Sequence, residues 1–484
     1  MSKRNVALVQ GPPGTGKTTV FESAVNASVD RMGGDTVMVY LSPTNRLVEE
    51  MLEKVAFVYK VLGKSKTDIA NEIRVYGSQF NFEPTYAKMN LAPDNQVKLI
   101  ITTEYQRIFA SHERATSYHL MIDEASKSPV HAPFIALADS LLTYRGETFA
   151  SINVIGDPQQ AIALPEEYRG QRGKTFLIMN AFLRGLLDDR TKQQVDKKEL
   201  DLLQAARDTL QKYFSFLNTS WRMPHPSEVP ISKGCYNGLL KSKFTAGEVI
   251  KELWDSNIAA KVKNANKDME FVVGKLEEGL TTDIPSFYVK TSGFKFDNEF
   301  ENDVLYDPFR ARAGLAFATG LAAITGKRTA VLTTYTDQWT QMKIDYYENF
   351  AHILSDSGRR KDLVTFGTIH RWLGAESDNV IAILGKESRG TQDQPTIYFQ
   401  EPELLNVQLS RHLKTLTVVG DLGKLIKTVN QVHKTEREIT YNNMKLTGEE
   451  LIAQAGLERT NETVRKVRSG DACVYAPWPA ATDS

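Results

Sequence analysis

The chain has 484 residues and balances 59 Lys and Arg against 59 Asp and Glu, so its net charge at pH 7 is zero. That balance excludes a global cationic field, leaving any nucleic-acid surface as a local patch, and the length allows roughly two or three domains with separate cores. The only cysteines, Cys235 and Cys473, exclude a zinc ribbon or a disulfide framework and suit a reducing compartment, and the longest apolar stretch, Ala313 to Thr325, is too short to span a bilayer.

Val6 to Val9 is a short apolar run with β-branched residues, the pattern of a buried parallel strand. It breaks into Gly11-Pro12-Pro13-Gly14-Thr15-Gly16-Lys17-Thr18, followed by Thr19, and fits G-x-x-x-x-G-K-[ST] at every fixed position. Val20, Phe21, Ala24 and Val25 then recur at helical spacing, so the loop leads into a helix N-terminus. Glycines let backbone N–H groups turn toward a phosphate, and the helix dipole adds partial positive charge. Lys17 can reach the β/γ-phosphates and the Thr18 hydroxyl can bind Mg²⁺, which predicts a nucleoside triphosphate as ligand. The loop begins at residue 11, so no signal peptide is expected ahead of it, and the chain reads as a soluble, cytoplasmic protein with no membrane segment.

Thr36 to Leu41 predicts a second buried strand, running into Ser42-Pro43-Thr44-Asn45 and a helix with Leu47, Val48, Met51, Leu52 and Val55 on one face. Small hydroxyl and amide groups at a strand's C-terminal end lie where open α/β sheets bind ligands, and Thr44 or Asn45 can equally serve as helix N-cap. Residues 56–98 read as a polar, irregular insertion. Leu99 to Thr103 restarts the strand pattern and ends in the hydroxyls of Thr102 and Thr103. Tyr118 to Ile122 leads into Asp123-Glu124-Ala125-Ser126. Two acids at a strand end, in a chain with a phosphate loop, predict Asp123 at the Mg²⁺ and Glu124 on the attacking water. Ser151 to Ile155 precedes Gly156-Asp157-Pro158-Gln159-Gln160, where an amide can feel the γ-phosphate. Asp189 to Tyr213 reads as an amphipathic helix or helical hairpin.

After Asn218-Thr219-Ser220-Trp221-Arg222-Met223-Pro224 a second strand series begins: Ser286 to Lys290, Thr329 to Thr334, Leu363 to Phe366, Val380 to Leu384 and Leu416 to Val419. Helical stretches at 309–324 and 336–353 separate them, which predicts a second parallel-sheet domain without a phosphate loop. Isolated charges sit at its strand ends, Glu376 and Arg411, each an ordinary surface charge if taken alone.

With these blocks in order, the chain resembles superfamily 1 helicases, most closely the branch containing the Upf-like and nidovirus replicative helicases. The matching blocks are VQGPPGTGKT, LSPTNRLVEEM, IITT, MIDEAS, VIGDPQQ, TSWRMP with YNG after it, VLTTYTDQ, TIHRWLGAESDNVI and LNVQLSRHLKTLTVVGD. The resemblance implies an α/β fold of two tandem RecA-like parallel-sheet domains, with ATP and Mg²⁺ in the cleft between them and single-stranded nucleic acid across the top. It divides the chain into residues 1–216, 217–430 and a C-terminal tail or small packing element at 431–484. Carried over by position, Lys17 and Thr18 hold phosphate and metal, and Asp123 and Glu124 are the metal and catalytic acids. Gln160 senses the γ-phosphate, Trp221 stacks on adenine, Arg222 and Arg411 reach the phosphates and Glu376 contacts the ribose. Ser42, Pro43, Thr44, Asn45, Thr102, Thr103, Thr334, Tyr335 and Thr368 match positions that touch the strand's backbone.

The implied activity is an ATP-dependent helicase translocating 5′→3′ on single strands and unwinding duplexes. Thr368-Ile369-His370 and His412-Leu413-Lys414 look like positive-strand RNA virus helicases, which favours RNA over DNA and hints at viral replication. The sequence departs from the family where Leu373 replaces a glutamine that couples ATP to strand contact. Few residues precede the first strand, so the adenine pocket is expected to lack one wall. Both departures motivate an alternative: an ATP-dependent nucleic-acid clamp or assembly NTPase without processive unwinding.

Overall fold

The computed structural model of the chain describes residues 6–32, 36–76, 96–104, 117–128, 148–160, 214–251, 254–292, 306–372, 374–386, 403–427 and 459–479. The helix expected over 189–213 and the family-divergent Leu373 lie outside these residues. The chain forms two compact units. The first comprises Met1–Pro12, Gly16–Pro158 and Leu164–Leu217; the second comprises Pro13–Thr15, Gln159–Ala163 and Asn218–Ser484.

The first unit is built on a seven-stranded sheet in the order β3-β4-β2-β5-β6-β1-β7, every neighbouring pair parallel. Its strands are β1 (Val6–Gln10), β2 (Thr36–Ser42), β3 (Ile73–Tyr76), β4 (Leu99–Thr103), β5 (Ser117–Ile122), β6 (Thr148–Gly156) and β7 (Phe214–Phe216). The apolar run of β2 explains its central position. Val37, Val39 and Leu41 join one core, with Leu8, Ile100, Leu120 and Val154, while Met38 and Tyr40 join the core on the opposite face. Burial of both faces is what parallel sheets require. Helices α1 (Lys17–Ser28) and α2 (Asn45–Val61) cover the second face through Phe21, Val25, Val48, Met51, Leu52, Val55 and Tyr59.

Residues 56–76 differ from the irregular insertion expected there. Helix α2 continues to Val61 with Ala56 and Tyr59 buried, and α3 (Lys66–Glu72) follows. The α3 N-terminus is a capping box, in which the Ser65 hydroxyl accepts from the Asp68 N–H and the Asp68 carboxylate accepts from the Ser65 N–H. Next, β3 pairs with β4, Ile73 opposite Leu99, and closes the sheet's edge. The reading failed because Lys64, Lys66, Asp68 and Glu72 hide the few apolar residues that a short helix and a four-residue strand need.

The second unit holds a six-stranded parallel sheet in the order β12-β11-β13-β14-β10-β15. Its strands are β10 (Ser286–Lys290), β11 (Thr329–Thr333), β12 (Val364–Thr368), β13 (Ser377–Ile383), β14 (His412–Gly420) and β15 (Val474–Pro477). A two-stranded ribbon, β8 (Thr219–Ser220) with β9 (Lys241–Ser242), stands apart. The helix Pro308–Thr325 contains the longest apolar stretch and is buried on nearly all sides, as a helix that is hydrophobic all round must be. Its small residues bring it onto the sheet: a Cβ added at Gly314 would overlap the Ile383 side chain. The stretch read as one helix over 336–353 is two, Thr336–Asn349 and Ala351–Asp356, joined at Phe350.

Within the segment read as a tail or small packing element, the described residues pack into this core. β15 pairs in parallel with β10, Phe287 opposite Val474, and Val474 and Ala476 are buried. Residues 459–468 are helical, with Val464 and Val467 buried.

Among the described residues no helix is long and apolar enough to cross a membrane.

Candidate nucleotide site

The phosphate loop leaves β1 and enters α1 of the first unit, while its tip, Pro13–Thr15, belongs to the second. Gly14 and Gly16 both have left-handed backbone, at φ 70° and 83°, which a residue with a Cβ adopts only at a cost. Gly16 is the N-cap of α1, so the helix's first N–H groups have no side-chain cap and open onto the loop. Lys17 donates to the Gly11 carbonyl at 2.7 Å, and Thr18 and Thr19 occupy the first turn. The neighbouring strand end is tied in by Gly11 N–H to Gly156 O, 2.9 Å, and by Gln10 Nε2 to Asp157 Oδ1, 3.3 Å.

Asp123 and Glu124 follow β5. Asp123 is buried; its Oδ2 accepts from the Tyr40 hydroxyl at 2.7 Å and its Oδ1 from the Glu124 N–H at 2.8 Å. Burial raises the Asp123 carboxyl above its ordinary range and the Glu124 charge raises it further, while the Tyr40 and Glu124 hydrogen bonds and the Lys17 charge oppose both. Burial and the Asp123 charge push Tyr40 well up, so it stays a neutral donor. Glu124 has left-handed backbone, φ 49°, and its carboxylate lies 3.3 Å from Lys127 Nζ. Left-handed backbone at a residue other than glycine stores strain of the kind that clusters at functional sites.

The donor chemistry of the residues that the resemblance assigns to the metal suits Mg²⁺: the Thr18 hydroxyl and the Asp123 carboxylate both offer oxygen. Mg²⁺ characteristically takes few protein ligands and completes its shell with water and phosphate.

In the second unit, Arg411 follows the helix Glu403–Leu409. Its Nη2 donates to Gln160 Oε1 at 3.0 Å and its Nε to Val407 O at 3.1 Å. Asn406 Nδ2 donates to Gln159 O at 2.7 Å, so one helix end grips both amide residues of the Asp157-Pro158-Gln159-Gln160 turn. Arg222 pairs with Glu376, Nε to Oε2 2.9 Å, and its Nη1 donates to Ser410 O at 3.4 Å. Glu376, assigned by resemblance to the ribose, therefore has a guanidinium as its partner here. Trp221 is anchored by its backbone N–H on Gly14 O, 2.8 Å, and Ser220 Oγ donates to Pro13 O at 3.2 Å. A Cβ at Gly14 would overlap that of Arg222, a second reason for glycine there. Thr15 is buried beside them.

The strand-contact candidates lie at C-terminal ends of parallel strands, with Ser42 opposite Thr103 and Thr333 opposite Thr368. Ser42, Thr102, Thr103, Thr334 and Thr368 are buried. The Ser42 hydroxyl donates to Thr44 O at 3.1 Å and that of Thr102 to Thr103 O at 3.2 Å. Pro43, Thr44, Asn45 and Tyr335 are the more accessible members. Thr44 is the N-cap of α2, accepting from Leu47 N–H, and the Tyr335 hydroxyl accepts from Lys386 N–H at 3.2 Å.

Tyr40, Asn406 and Lys127 escaped the sequence reading. Tyr40 had a readable signal, because a hydroxyl inside the apolar run Val37 to Leu41 must find a buried partner.

The first unit is a P-loop NTPase fold: a parallel sheet in which β1 leads through the phosphate loop into α1 and the acid pair follows β5. Residues 1–165 match the family described as AAA domain. Over 156 residues, 32% of this chain, the sequence is 29% identical to Replicase polyprotein 1ab of Breda virus 1, and it spans 2% of that polyprotein's length. Among solved structures, the crystal structure of the DUF1998 helicase MrfA bound to DNA and AMPPNP is similar with a TM-score of 0.36 and 11% identity, over 95% of this chain and 52% of that one.

Proposed function

We propose that the chain is an ATP hydrolase of the superfamily 1 helicase type that translocates on single-stranded nucleic acid, RNA in preference to DNA, in the 5′→3′ direction, and unwinds duplexes. The observation that carries the reading is the 3.0 Å hydrogen bond from Arg411 to Gln160, since it couples the candidate arginine to the candidate γ-phosphate sensor.

In this reading Lys17 and the α1 N–H groups neutralise the β/γ-phosphates, and Asp123, kept in one orientation by Tyr40, binds the metal with Thr18. A Mg²⁺ held by Asp123 and Thr18 would supply positive charge against the charge that develops on the phosphate. Glu124 orients and deprotonates the attacking water. Arg411 and Arg222 stabilise the charge on the transferred group once the nucleotide competes for their present partners, Gln160 and Glu376. Strand contacts made largely by backbone and small hydroxyls suit a motor indifferent to sequence.

Lys17→Ala is expected to abolish ATP hydrolysis stimulated by single strands, measured as phosphate release with poly-ribo and poly-deoxy strands. Stimulated hydrolysis surviving that change overturns the proposal. A tailed-duplex assay separates unwinding from the clamp reading: stimulated hydrolysis without strand displacement favours the clamp.

A further inference from the structure

The segment that carries Arg222 and the strand that follows Arg411 are joined by a contact that neither guanidinium makes. His412, the first residue of β14, and Ser227 are both fully buried, and His412 Nε2 lies 2.6 Å from the Ser227 hydroxyl. The same hydroxyl donates to Pro224 O at 2.5 Å. A hydroxyl has one proton to give, so the imidazole supplies the proton of the other bond and holds it on Nε2. The result is a one-way chain, His412 Nε2–H to Ser227 O–H to Pro224 O, and all of it lies in the second unit.

Each end of this chain meets backbone that fixes one arginine. Pro224 lies just beyond Arg222, and Ser227 N–H also donates to Pro224 O at 2.9 Å. On the other side, the Ser220 hydroxyl accepts from Arg222 N–H at 3.3 Å and from Met223 N–H at 3.4 Å. His412 directly follows Arg411, whose carbonyl accepts from Ser377 N–H at 3.0 Å where β13 and β14 pair, Ser377 opposite His412. A second link between the two segments, Arg222 Nη1 to Ser410 O at 3.4 Å, is made by a guanidinium and ends when that guanidinium turns to a phosphate. The buried tie survives that turn. It needs no charge, since burial, with the Arg222 charge, keeps His412 neutral.

We infer that His412 and Ser227 are positioning residues for the arginine pair: their buried hydrogen bond holds the Arg222 backbone in a set relation to that of Arg411, so that the two guanidiniums move as one piece. The inference rests on the reading of Arg222 and Arg411 as the residues that stabilise the transferred phosphoryl group. Being buried, His412 and Ser227 reach no substrate and act only through the arginines. A displacement of about 1 Å at a reacting group costs up to roughly a hundredfold in rate. The loss therefore falls on kcat, not on the affinity for ATP.

The test is steady-state ATP hydrolysis by the full chain with saturating single strands, kcat and KM read separately. Ser227→Ala is expected to lower kcat about tenfold and to move KM less than about twofold. His412→Phe is expected to lose as much, and His412→Gln, whose amide N–H stands in for Nε2–H, to recover most of it. In an Arg222→Ala background the further loss from Ser227→Ala is expected to fall below about twofold, because nothing is left to position, whereas a general loosening of the fold keeps its full cost. Unchanged kcat in Ser227→Ala overturns the inference, as does a change confined to KM or the same loss with and without Arg222. Where Ser227→Ala does not fold, the two His412 variants decide, and equal kcat in them overturns it. Unchanged kcat in both Arg222→Ala and Arg411→Ala would instead sink the reading of the arginines beneath it.

Discussion

At the scale of single residues, burial decides what each ionisable group can do. His412 is buried, with Nε2 2.6 Å from the Ser227 hydroxyl, and burial, with the Arg222 charge, lowers it from 6.5 to about 3. An unfolded chain takes up a proton near pH 6.5 that the folded chain refuses until about pH 3. Stability from this residue is thus complete above pH 6.5 and is lost as the pH falls toward 3. Between pH 6.5 and 5 the loss is on the order of 2 kcal/mol. His412→Gln is expected to flatten that part of the pH dependence, read from urea midpoints at pH 7.5 and 5; parallel slopes in the two proteins would remove His412 from this role. Asp123, whose carboxyl is raised, acts with the opposite sign, but both proteins share it. The residues legible in sequence were those with motif spacing, Lys17, Thr18, Asp123 and Glu124. Tyr40's need for a buried partner was legible but the partner was not, because its bond to Asp123 joins residues 83 apart, and the roles proposed for Arg222 and Arg411 were legible only through resemblance.

At the scale of elements, strands with unbroken apolar runs were readable, and short or charged ones were not. β2 and β4 announced themselves, since strands buried on both faces have to be apolar throughout. β3 and β15 have four residues each, and their burial comes from neighbours distant in sequence. β15 supplies a sharp test. Val474 is buried opposite Phe287, so Val474→Asp puts an unpaired carboxylate into the core. The expected cost is about 3 kcal/mol, or a midpoint lowered by roughly 6–12 °C, against less than about 1.5 kcal/mol for Val474→Ile. Scanning calorimetry reads both, and an unshifted midpoint for the aspartate variant would mean that the strand contributes nothing to the core.

At the scale of the whole molecule, the candidate site residues are distributed along the chain: Lys17, Asp123 and Glu124 belong to the first unit, Gln160, Arg222 and Arg411 to the second. Under the proposed function, Arg411→Ala spares ATP binding and lowers turnover by about 10³-fold or more, measured as steady-state hydrolysis beside nucleotide affinity. An unchanged rate would remove Arg411 from the reaction.

The strand order of the second sheet has a further consequence, for biosynthesis. Ser286–Lys290 pairs on one side with Leu416–Gly420 and on the other with Val474–Pro477, both far downstream. A ribosome releasing the chain from its N-terminus exposes β10 long before either neighbour exists. The nascent second unit must therefore wait, with an apolar strand uncovered, until its last partner emerges, which makes this stretch the natural client of a holding chaperone.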